Sequence, residues 1–283
     1  MPKQGVPGGS SFPRGVWGDG SPQKEKPAEP KRGVPAEPER ALVLVAHGSA
    51  DPRAAAAIGE LIPLVARQAS ERGLSVPGLR VAYLGHAAPS VPQVMRALEP
   101  DVPVTVLPLL LTAAYHSKTD IPRLLARVGA GRRITYGEPL GPHPLLLRAL
   151  ERRLPEVAFG ERAETGVVLA AAGSSDPEAN ATVARLAAQW QARAGWYAVR
   201  PAYASAVGPD PVTAVTQLRE AGAGRVVVAS YLLAPGLFAD RIRDASLAAG
   251  AAAVTPVLGA SPEVADVVLD RYQEAGTRER AAA

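Results

Sequence analysis

The chain has 283 residues, 47% of them hydrophobic, no cysteine and a formal net charge of +4. The lack of cysteine excludes disulfides, thiolate metal sites, iron–sulfur clusters and cysteine nucleophiles, so any bound metal must rest on nitrogen or oxygen. The small charge, without basic blocks interleaved with aromatics, argues against a nucleic-acid partner, and no apolar run reaches the ~20 residues of a membrane span.

Residues 1–40 are rich in Pro, Gly and charge and have no periodic apolar face, which predicts a disordered tail. They lack the apolar core of a secretory signal, so a cytoplasmic protein is expected. Order is expected from residue 41, where ALVLV reads as a buried strand ended by the turn-prone HGSADP. A helix over 52–72 follows, with Pro63 awkward in its interior. Strands over 79–83, 104–107 and 134–136 then alternate with helices over 91–98, 120–128 and 144–153. Such alternation predicts an α/β fold, a parallel sheet flanked by helices.

The second half repeats this order. VVLAAAGSSDP matches LVLVAHGSADP at an offset of 125, VRPAYASAVGP matches LRVAYLGHAAP at 120, and VVVASYLL matches VTVLPLLL at 122. VTPVLGASP resembles ITYGEPLGPHP at 118. Near-constant spacing of four ordered segments identifies an internal duplication of whole domains. The expected organisation is a tail at 1–40, a first lobe at 41–160, a degenerate second lobe at 161–275 and a disordered tail at 276–283.

Ligands of open α/β sheets bind beyond the carboxyl ends of strands. His47 follows the first strand and His116 lies beyond the third, which puts both imidazoles at one edge of one sheet. The second lobe has Ala172 and Phe238 at these places. Two neutral imidazoles there suit Fe, Co, Ni or Zn, or proton transfer, or both at different steps. Helix-capping loop histidines are the competing reading. No Arg precedes His47-Gly48, no G-x-S-x-G surrounds Ser49, and no P-loop, G-x-G-x-x-G or H-E-x-x-H occurs.

Further residues gather around these two. Lys118 is the only lysine after residue 40. The Ser49 and Ser90 turns open helices whose N-termini can receive anions. His143 lies on the same sheet edge, with capping as its competing reading, and Asp120 is read as the N-cap of the helix at 121. His86 is placed near the cleft without a sharper role. Tyr83 and Tyr115 either stack on a ligand or pack, and Phe238 either joins the core or meets a ligand face.

His47-Gly48-Ser49 with Asp51-Pro52-Arg53, Ala88-Pro89-Ser90, and Pro108-Leu109-Leu110-Leu111…His116…Asp120-Ile121-Pro122 together resemble the sirohydrochlorin chelatases. These are the class II cobalt and iron chelatases, here in their two-domain form. The resemblance implies insertion of Fe²⁺ or Co²⁺ into sirohydrochlorin, an acidic tetrapyrrole, in sirohaem or cobalamin biosynthesis. It implies a cleft between lobes, with His47 and His116 facing the metal as ligands and proton acceptors. Ser49, Arg53, Ser90, Lys118 and His143 become candidates for contacts to the substrate carboxylates; a solvated helix start competes for Arg53. The divalent metal is a co-substrate and no organic cofactor is expected. The chain departs from the family in having Ala114 two residues before His116, where Gly is frequent. It also lacks the histidine-rich tract and cysteine-bound cluster of some long members. Both lobes in one chain favour a monomer. Nickel insertion into a related tetrapyrrole, and a non-catalytic metal or tetrapyrrole carrier, remain the alternatives.

Overall fold

A computed structural model describes residues 40–129, 131–156 and 160–282. The predicted tail therefore lies outside the described residues up to 39, while Arg40 is buried.

The first lobe runs β1 (Ala41–Ala46), α1 (Pro52–Glu71), β2 (Arg80–Tyr83), α2 (Val91–Ala97), β3 (Val104–Pro108), a π-helical turn (His116–Asp120), α3 (Ile121–Val128), β4 (Ile134–Tyr136) and α4 (Pro144–Arg153). The second runs β5 (Thr165–Ala171), α5 (Pro177–Ala194), β6 (Ala198–Tyr203), α6 (Pro211–Glu220), β7 (Arg225–Tyr231), α7 (Leu237–Ala248), β8 (Ala253–Val254) and α8 (Pro262–Ala282). The sheets have the orders β2-β1-β3-β4 and β6-β5-β7-β8, with every pairing parallel. The duplicated α/β architecture is thus as the sequence predicts.

Alternation along each central strand divides the interior into three cores, because successive side chains leave opposite faces of a strand. Leu42, Leu44 and Ala46 enter a core shared by both lobes, whereas Ala41, Val43 and Val45 enter an outer core with α2 and α3. In the second lobe Val167, Leu169 and Ala171 join the shared core, and Val168 and Ala170 the outer one. Both faces of these strands are buried, which is why they read as unbroken apolar runs. Replacing a fully buried residue such as Leu44 with alanine is expected to cost about 2–5 kcal/mol.

The helices inside the shared core are exchanged. α8, last in the second lobe, packs on α1, β3 and β4, while α4, last in the first lobe, packs on α8 and β7. Each lobe therefore completes the packing of the other. The expected disordered tail from residue 276 is corrected, since α8 continues to Ala282. This segment is poor in apolar side chains, so its pattern resembles a tail, but polar contacts to the first lobe hold it. Glu279 accepts from Arg40 Nη1 at 3.4 Å and from Thr135 Oγ1 at 2.8 Å, and the Tyr272 hydroxyl donates to the Arg40 carbonyl at 2.9 Å.

Candidate active site

In the strand order β2-β1-β3-β4 the connections lead to opposite sides of β1, so the strand order reverses between the parallel neighbours β1 and β3, the place where such sheets open a crevice. Val45 lies opposite Pro108, and the Leu109 N–H donates to the Val45 carbonyl at 2.8 Å, so the two strands end level. The loops leaving them carry His47 and His116. Gly48 makes the first turn at φ +88°, where an added Cβ would collide with the Gly85 carbonyl. Gly173 makes the same turn at φ +83° in the second lobe. The scaffold needs the glycine in both lobes; only the first adds histidine.

The His47 and His116 ring centroids are 4.7 Å apart at 71°. An ion about 2.1 Å from a ring nitrogen lies about 3 Å from the centroid, so rings sharing it stand within about 6 Å. The pair meets that limit. His116 Nδ1 donates to Asp120 Oδ2 at 2.7 Å, and His47 Nδ1 donates to the Gly48 carbonyl at 3.0 Å. Carboxylate and carbonyl only accept, so each Nδ1 carries the proton and each Nε2 lone pair is available. Among the described residues, no cluster of three or more His, Asp or Glu is arranged to hold a metal. Two imidazoles hold an ion less firmly than a closed four-ligand site.

Asp120 corrects an expectation. It makes no capping bond to α3 and instead orients His116. The i, i+4 spacing His116-x-x-x-Asp120 puts both on one helical face, a signal present in the sequence.

The imidazoles open onto an interlobe cleft of about 740 Å³, within the usual range for small-molecule sites. Ala172 and Phe238 of the second lobe also line it. Phe238 is 40% exposed and so is not a core residue; Leu237 and Tyr115 are exposed beside the same cleft. Tyr83 is buried along its lining.

The other candidates are placed differently. Ser49 lines the cleft, but its Oγ accepts from the Asp51 N–H at 3.0 Å, a turn bond that Ser174 repeats with Asp176. Ser90 forms a capping box with Gln93 away from the cleft lining. Asp51 caps α1. The N-termini of α1 and α2 are thus occupied by their own side chains, contrary to their expected use for substrate anions. His143 caps α4, accepting from the Leu145 N–H at 3.3 Å, and also stands outside the cleft lining.

Arg53 and Lys118 each bridge the lobes. Arg53 pairs with Asp51 and, at 2.6 Å, with Asp240 of α7; Lys118 pairs with Asp176, the N-cap of α5, at 2.7 Å. Both lie outside the residues lining the cleft. The Arg53 guanidinium holds Asp51 and Asp240 below the ordinary carboxylate range, and the Lys118 ammonium does so for Asp176. Sequence reasoning missed both acidic partners in the second lobe, because nothing local marks a contact 58 or 187 residues away.

Two parallel α/β lobes sharing a core, with a histidine pair open to the cleft between them, define a duplicated two-lobed α/β architecture. A family model described as CbiX matches the chain twice, over residues 41–157 and 166–275, and the protein belongs to that family. A sirohydrochlorin ferrochelatase of Priestia megaterium is 26% identical over 209 residues, covering 72% of this chain and 77% of that protein. A sirohydrochlorin cobaltochelatase of the same organism is 28% identical over 149 residues, covering 50% of this chain and 48% of its own. The solved structure of SirB from Bacillus subtilis with Fe³⁺ superposes with a TM-score of 0.73 at 25% identity, covering 86% of this chain and 98% of SirB. No helix among the described residues is long and apolar enough to cross a membrane.

Proposed function

We propose that the protein is a sirohydrochlorin chelatase that inserts Fe²⁺ or Co²⁺ into sirohydrochlorin. The observation that carries this reading is the His47–His116 pair, 4.7 Å apart with each Nδ1 bonded to an acceptor and both residues lining the interlobe cleft. Its family membership and the named activities of its relatives support the same reaction.

The chemistry follows from those residues. Insertion of a divalent ion expels two pyrrole N–H protons, so charge and proton count balance at one ion in and two protons out. His47 and His116 hold the ion through Nε2 while water completes its shell. As the macrocycle nitrogens take the ion, the same two lone pairs become free to accept the departing protons. Weak two-ligand binding favours release into the ring; a closed cage would oppose it. Asp120 keeps the His116 ring in the required tautomer.

Phe238, Leu237 and Tyr115 supply apolar surface for the macrocycle. Ser49 reaches the substrate from the lining. Arg53 and Lys118 meet substrate carboxylates by exchanging them for Asp240 and Asp176 at the cleft margins. Ser90 and His143 have structural roles and are left out of the contact set. One chain supplies both walls, so a monomer suffices, and no organic cofactor is required.

The test is turnover with purified protein, sirohydrochlorin and Fe²⁺ or Co²⁺, followed by absorption. Insertion above the uncatalysed background is expected, and His47→Ala and His116→Ala should each abolish the excess. Full activity in both variants would refute the site. Stoichiometric tetrapyrrole binding without faster insertion would make the protein a carrier.

A further inference from the structure

Three of the four histidines line one cleft: His47, His86 and His116. The third is unexplained by the two-imidazole site. His86 sits in the loop after β2 with its ring stacked toward His47, centroids 6.5 Å apart and planes within 21°. That separation exceeds the roughly 6 Å at which two imidazoles can share one ion, so His86 is not a third ligand of the pair as placed. It is one short step away from it. Its ring is exposed, where a hydrated cation arriving from solvent can reach it.

The backbone at this position argues that the ring is not there for the fold. His86 holds φ +60°, in the left-handed region that side chains other than glycine seldom adopt. Its repeat counterpart Ala206 holds φ +68° in the second lobe. The turn therefore forms equally with a methyl side chain, and the first lobe alone places an imidazole on it. This is the same asymmetry that separates His47 and His116 from Ala172 and Phe238.

We infer that His86 is a cation relay: it binds the incoming hydrated divalent metal at the cleft margin and passes it to His47 and His116. Neutral imidazole is a competent ligand for Fe²⁺ and Co²⁺. A single ligand with waters completing the shell holds the ion loosely enough to hand it on. The step from His86 to His47 exchanges one imidazole for another, so no proton or electron changes place. The inference rests on the chelatase reading and assigns its metal route.

The full chain is tested as wild type, His86→Ala and His86→Asp. Alanine reproduces the second-lobe turn, and aspartate keeps a metal-ligating group in a residue type that tolerates the left-handed region. Co²⁺ binding is titrated without tetrapyrrole, and insertion is measured with each substrate varied in turn. Expected for His86→Ala is loss of the weaker of two Co²⁺-binding phases in the titration, with KM for metal raised roughly tenfold. Its kcat at saturating metal should stay within about twofold and its KM for sirohydrochlorin should be unchanged. His86→Asp should recover most of the metal affinity. Unaltered Co²⁺ binding and unaltered KM for metal would overturn the relay, as would an effect confined to KM for the tetrapyrrole. His47→Ala and His116→Ala separate the two readings in the same assay. If they lose insertion while His86→Ala behaves as wild type, only the relay fails. If they keep insertion, the chelatase site fails, and the Co²⁺ titration still decides whether His86 holds a cation.

Discussion

His116 and Asp120 face each other across one helical turn, with the imidazole Nδ1–H donating to the carboxylate at 2.7 Å. This contact keeps the proton on Nδ1 and leaves Nε2 open, in a ring whose centroid is 4.7 Å from that of His47. Asp120→Ala removes the acceptor and leaves the His116 ring without the bond that fixes its tautomer and orientation. It should lower kcat/KM for metal by about 10–100-fold with the melting temperature little changed. Steady-state insertion with varied Fe²⁺ or Co²⁺ checks this, and an unchanged value would leave Asp120 without a role in orienting His116.

The interlobe ion pairs invite a charge swap. Lys118 pairs with Asp176, and its repeat counterpart Asp240 pairs with Arg53, two residues after Asp51, the counterpart of Asp176. The pseudo-two-fold thus joins the same two regions on both sides with the charges reversed. Lys118→Asp opposes like charges and should raise KM for the tetrapyrrole several-fold. Adding Asp176→Lys should restore it, and high salt should shrink both effects because the pairs are exposed. Asp51, Asp176 and Asp240 have carboxyls held below their ordinary value. Their contribution is present above that value and lost only as pH falls through the lowered ones, so the pairs persist unchanged between pH 5 and 8.

His143 should make stability pH-dependent in that range. Burial lowers its pKa, assisted by Arg271 and opposed by Asp270 and Glu274. The folded state therefore prefers the neutral ring, whose Nδ1 accepts from the Leu145 N–H. As pH falls below about 6.5 the unfolded chain takes up the proton first, and stability declines toward the lowered folded value. His143→Asn keeps an N-cap and should flatten this dependence in urea melts at pH 7.5 and 5.5. His143→Ala loses the cap at a cost of about 1 kcal/mol at the higher pH.

Removing residues 276–283 should destabilise the protein. Glu279 takes hydrogen bonds from Arg40 and Thr135, and Arg278 pairs with Glu138 at 2.7 Å, so the end of α8 ties to the first lobe. A loss of about 1–3 kcal/mol in urea denaturation is expected, since Arg40 is left buried with one partner fewer. Glu279→Gln should cost less than the truncation, because the amide oxygen still accepts.

Much of this protein was legible in one dimension. The apolar runs at β1, β3, β5 and β7 announce strands buried on both faces, since both sides of each must avoid water. Fixed offsets between the halves announce the duplication. His47 and His116 stand at strand ends, and parallel-sheet geometry alone brings such ends to one edge. Tertiary structure decided the rest. An amphipathic pattern says that α4 and α8 bury a face but not on which sheet, so their exchange and the ordered C-terminus depended on contacts far apart in sequence. Asp120 reads locally as a helix cap, and only side-chain geometry makes it the partner of His116. Lys118 and Arg53 looked free for substrate because charge attraction acts through space, and Asp176 and Asp240 become their neighbours only when the second lobe folds against the first.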